Sequence, residues 1–68
     1  MDKDFLMKTF RDLYFEYPNK KQLIKEIEKS IEEIKEVIKN NPKDAFVKRS
    51  FGQEIWFQKE LLKLAKKL

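Results

Sequence analysis

The sequence contains no cysteine and no histidine, and only one glycine and two prolines among its 68 residues. Without cysteine there is no disulfide framework, no thiolate metal site and no thiol nucleophile, so a reducing, cytoplasmic setting is expected. Without histidine the commonest general base and metal ligand is missing too. A single glycine cannot build a phosphate-cradling loop of the G-x-G-x-x-G or P-loop kind. Long apolar runs are also lacking. Stretches such as Phe5-Leu6-Met7, Ala45-Phe46-Val47 and Ile55-Trp56-Phe57 are as long as they get, against the roughly 20 residues that span a bilayer. The start, Met1-Asp2-Lys3-Asp4, is acidic where a signal peptide is basic. No targeting segment and no membrane partner are expected. Catalysis would depend on carboxylates, lysines, phenols or the hydroxyls of Thr9, Ser30 and Ser50, none of which has an activating neighbour in sequence. The chain therefore reads as non-enzymatic, without cofactor or metal.

What is present is evenly divided: 41% of residues are hydrophobic and 41% charged, with six Phe, two Tyr and one Trp. That apolar and aromatic content is too high for a chain that stays unfolded for want of a core. The length permits one small domain, residues 1–68, of marginal stability. With no disulfide or metal to staple it, such a domain needs very regular packing or a partner chain.

The two prolines divide the sequence into three helices, expected at about residues 3–16, 20–40 and 42–67. Before the second helix, Asn19 suits the N-cap position, with Gln22 at N3 and a Pro18–Leu23 hydrophobic staple. Before the third, Asn41 reads as N-cap, Pro42 as the first helical residue and Asp44 as an acid in the first turn. The short Asn40-Asn41 connection makes helices 2 and 3 antiparallel neighbours. The expected fold is all-α: three helices dominated by a long antiparallel hairpin of helices 2 and 3, with helix 1 packed across it.

The second helix carries Ile24, Ile27, Ile31, Ile34 and Ile38 at alternating spacings of three and four, widened by Leu23 and Val37. Its exposed face is Lys and Glu with one Ser, Ser30, and the charges can pair as Glu32–Lys35 and Glu36–Lys39. The column Glu28-Glu32-Glu36 reads as a solvated, salt-bridged face rather than a metal or acid–base site. The third helix has a broader apolar arc running from Phe46 to Leu68, wide enough for two neighbours. On helix 1, Leu6, Phe10, Leu13, Tyr14 and Tyr17 share a face, while Phe5 and Phe15 point elsewhere. This surplus makes a homodimer, a dimer of hairpins, an expectation.

Charge is uneven. Residues 1–17 sum to −1, residues 18–41 to +1 and residues 42–68 to +4. On the polar side of helix 3, Arg49, Lys59, Lys63 and Lys67 surround Trp56, with Gly52 one turn before it and Glu60 the local counter-charge. Two readings of Trp56 stand side by side: an exposed anchor for a partner, or a ring covered by helix 1 or a second chain. Gly52 is expected to mark tight packing within the molecule, with a partner's side chain inserted beside it, or a break in the helix, as the other readings.

The function expected from these residues is a protein–protein interaction module, an adaptor, inhibitor or assembly subunit that self-associates or docks on a larger protein. Its contact residues would be Trp56, Arg49, Lys59, Lys63, Lys67, Phe5 and Phe15. The alternative is a small nucleic-acid-associated protein that contacts phosphates through the basic face of helix 3. No helix-turn-helix, homeodomain or RNP signature supports it.

Overall fold

A computed structural model describes residues 3–68; Met1 and Asp2 of the acidic start lie outside the described residues. Three helices follow in order: α1, Lys3–Glu16; α2, Lys20–Asn40; and α3, Ala45–Lys66. The molecule is an all-α hairpin of α2 and α3, and α1 leans on it chiefly through α3.

The first boundary follows the sequence chemistry. Asn19 caps α2, its side-chain oxygen accepting from the backbone N–H groups of Lys21 at 2.9 Å and Gln22 at 3.3 Å. The second differs. Asn41 is not the N-cap of α3 but the C-cap of α2: its backbone N–H donates to Ile38 O at 3.1 Å and its Nδ2 to Val37 O at 2.8 Å. Pro42 and Lys43 form the turn, and the N-cap is Asp44, whose carboxylate accepts from Val47 N at 3.1 Å. A proline just past a C-cap is as natural as one at the first helical position. Asn41 is occupied by the carbonyls behind it, so the cap passes to Asp44. Asp44→Ala is therefore expected to cost about 1 kcal/mol, lowering the melting temperature by about 4–8 °C in a thermal scan. Asn41→Ala should cost less; the opposite order would return the cap to Asn41.

The core consists of Leu23, Ile27 and Ile31 from α2 against Phe57, Leu61 and Ala65 from α3. Both triplets step by four residues, so each presents one row of side chains per turn to its neighbour. The two rows run antiparallel, with Leu23 and Ala65 towards the open end of the hairpin and Ile31 and Phe57 nearer its turn. Leu6, Phe10 and Leu13 of α1, with Tyr17 just after it, close one side of this core, yet α1 itself has no buried residue. Towards the turn the packing thins. Ile34, Ile38, Val47 and Phe51 are half-buried, Val37 is exposed, and Phe46 is 77% exposed. The heptad of isoleucines thus forms a core only where α1 supplies the third wall. A fourteen-residue α1 does not extend to the tip of the hairpin.

Candidate protein-interaction face

The outer side of α3 is built by helical spacing. Arg49, Gly52, Trp56, Lys59 and Lys63 recur every three or four residues and fall on one stripe, and Lys67 extends it by a turn. This stripe lies away from the row Phe57, Leu61 and Ala65 that faces α2. Trp56 is 49% exposed, so neither α1 nor α2 covers it.

Gly52 carries no packing. A methyl group placed on it would find no atom within 4 Å, and α3 runs unbroken from Ala45 to Lys66. The expected close approach within the molecule is therefore absent, and so is the break. What remains at Gly52 is the gap left by a missing side chain, open to solvent, one turn from a half-exposed indole.

The charges around this gap are solvent-facing. Lys63 Nζ pairs with Glu60 Oε2 at 3.3 Å, an i,i+3 contact in which the lysine is largely exposed. Exposed pairs of this kind contribute little to stability, and Arg49, Lys59 and Lys67 are exposed as well. Among the described residues the ring contacts are Phe5–Phe57, 5.6 Å between centroids, and Phe10–Tyr14 at 6.3 Å. Trp56 has no cation–π partner there.

The two aromatics of α1 have different surroundings. Phe5 is 59% exposed but rests one face on the Phe57 ring. Phe15 is 89% exposed and lies about 15 Å further along α1. Phe5 thus packs against a core residue of α3 rather than against the Trp56 stripe, and Phe15 stands apart from both. The candidate contact residues divide into a basic stripe around Trp56 on α3 and two separate aromatics on α1, Phe5 and Phe15.

One surface feature had no signal in the sequence. Met7, Phe10, Arg11, Tyr14 and Leu68 enclose a groove of about 270 Å³ where α1 passes the end of α3. It arises from the crossing of two helices, which no local spacing encodes. Elsewhere the polar groups read as surface chemistry. Glu32 pairs with Lys35 at 3.8 Å as expected, and Glu28 and Glu32 line a shallow surface with Lys35 and Lys59. Among the described residues no group of three acidic side chains could hold a metal ion. The carboxylates of Glu16 and then Glu26 raise the Tyr17 phenol above its usual value, with partial burial and a hydrogen bond to Glu16 adding to the shift. That phenol stays protonated at neutral pH.

No protein-family model, characterised protein or solved structure matches this chain.

Proposed function

We propose that this chain is a non-enzymatic protein-interaction module that works in the cytoplasm, self-associating or docking on a larger protein. The outer stripe of α3 is its contact surface. The observation that carries this reading is the half-exposed Trp56 beside the open notch at Gly52, bordered by Arg49, Lys59, Lys63 and Lys67. Tryptophan and arginine are the residues that most often dominate binding energy at interfaces, because they pair a large apolar area with a polar handle. An acidic partner helix would meet the lysines, and its side chains would enter the notch. The absence of histidine and cysteine supports a role without catalysis. Among the described residues no helix is long and apolar enough to cross a membrane.

Trp56 is the only tryptophan, so its emission reports directly on this surface. Emission near that of a water-exposed indole is expected in the free protein, with a blue shift when the partner binds. A pull-down from the native host with wild type beside Trp56→Ala identifies the partner. The variant should bind it at least about 30-fold more weakly, the effect of losing one hot-spot residue of about 2 kcal/mol. Equal recovery of the same protein by both would overturn the assignment of Trp56.

A second reading follows from the charge of residues 42–68, which sum to +4, the net charge of the whole chain. The same lysines could contact nucleic-acid phosphates. Binding of that kind falls steeply with salt, and no binding to RNA or DNA at low ionic strength would remove it.

A further inference from the structure

The end of the hairpin at its turn combines exposed apolar side chains with unpaired positive charge. Phe46, in the first turn of α3, is 77% exposed. Val37, near the end of α2, and Pro42, in the connection, are exposed at the same end. Lys39, Lys43, Lys48 and Arg49 are exposed there too, and none of them forms an ion pair among the described residues. The Glu36–Lys39 pair that the spacing allows is not made. The acids at this end are Glu36 and Asp44, and the Asp44 carboxylate accepts from Val47 N as the cap of α3. Residues 36–49 therefore sum to +2 around an apolar tip.

We propose that this end of the hairpin docks on an anionic lipid surface. Phe46, with Val37 and Pro42, enters the boundary between headgroups and acyl chains, and the four cations lie among the acidic headgroups. Elements that rest in a membrane interface join apolar and aromatic side chains to Lys and Arg in this way, adding buried apolar area to attraction for anionic lipid. The cytoplasmic leaflet is the acidic one. Such contact needs no spanning helix, and none is present among the described residues. The short apolar runs that speak against a membrane partner in the sequence speak only against crossing. Shape favours a lipid surface over a protein at this end. The molecule is 38 Å long, in keeping with a 22-residue α3, and 24 by 17 Å across. Its end is thus a convex face of about 400 Å², where a standard protein interface takes about 800 Å² from each partner. A bilayer requires only that the apolar tip sink about 5–10 Å. The proposal goes beyond the protein-interaction reading and uses a different surface. Trp56 lies about 15 Å further along α3 than Phe46, and Arg49 is the residue common to both.

Co-sedimentation of the full chain with lipid vesicles tests this. Wild type is expected to bind vesicles of phosphatidylcholine mixed with phosphatidylserine, to bind phosphatidylcholine alone far more weakly, and to be released by salt. Phe46→Ala should weaken binding about 10-fold or more, the effect of one aromatic side chain no longer buried. Its helical circular dichroism should be retained, because the ring is 77% exposed in the folded chain. Lys43→Ala should weaken binding about five-fold, each cation near an acidic surface being worth about 1 kcal/mol. Trp56→Ala should bind the vesicles as wild type does, so loss of host-protein capture and loss of lipid binding are read separately. A wild-type chain that ignores acidic vesicles at low ionic strength overturns the proposal, as does equal binding to both lipid mixtures. A folded Phe46→Ala chain that binds as wild type does overturns it too. Loss of a captured host protein in Phe46→Ala, with no vesicle binding by wild type, would give this end to a protein partner instead.

Discussion

Leu61→Ala is expected to remove a large part of the folding free energy and to lower the urea midpoint sharply. The Leu61 side chain is fully buried in a core that, among the described residues, has six buried members. Truncating a buried leucine costs about 2–5 kcal/mol through lost transfer energy and the cavity left behind. A domain of this length has about 3–10 kcal/mol in total at the usual stability per residue, and no disulfide adds to it. One side chain thus represents a large part of the folding free energy. The check is the urea midpoint followed by circular dichroism, beside Leu62→Ala. Leu62 is half-buried on the next position of the same helix, so its truncation should cost clearly less. Equal losses would show that the packing does not centre on the Leu61 row.

Gly52→Ala works in the other direction and should raise the melting temperature by about 4–8 °C. Glycine in a helix interior is about 1 kcal/mol less favourable than alanine, because its backbone loses more freedom on folding. Two objections that usually defeat this substitution do not apply. Gly52 is helical with no positive φ, and an added methyl group meets nothing within 4 Å. The stability gain should therefore appear in full in the isolated protein. If a partner's side chain enters the notch, the same methyl group occupies that space. Gly52→Ala should then weaken capture of the partner while strengthening the fold. A variant more stable and equally able to bind would separate the notch from the contact surface and leave Trp56 as the anchor. A variant no more stable than wild type would mean that glycine serves the folded chain itself.

The legible and illegible parts of this molecule divide along the range of the interactions involved. Ends of α1 and α2 could be read from Pro18, Asn19 and the change of residue type after Lys39, because capping is settled within four residues. The start of α3 could not. Asn41 and Asp44 are both good caps three residues apart, and the choice depends on whether Asn41 turns back to Val37 and Ile38. The hairpin was legible because Ile27 and Ile31 repeat with the helical period and the connection is short. How far the core extends was not. Phe46 belongs to the apolar arc of α3 by spacing, yet it is 77% exposed because no third helix reaches it. The candidate site divides in the same way. Spacing alone puts Arg49, Trp56 and Lys63 on one stripe, while the empty space at Gly52 and the groove beside Tyr14 depend on where other helices pass.

The placement of the core at the open end of the hairpin has a kinetic meaning. In most helical hairpins the residues nearest the turn meet first, since their loop is shortest and its closure least costly in entropy. Here those residues, Val37 and Phe46, remain exposed and reward early closure with little. The pairs that are fully shielded, Leu23 and Ala65 above all, join positions about 40 residues apart. The beginning of α2 and the end of α3 therefore have the most apolar surface to gain from meeting, although the loop between them is the longest. The turn at Asn41–Asp44 sets the direction of the hairpin, while the burial that stabilises it lies at the end furthest from that turn.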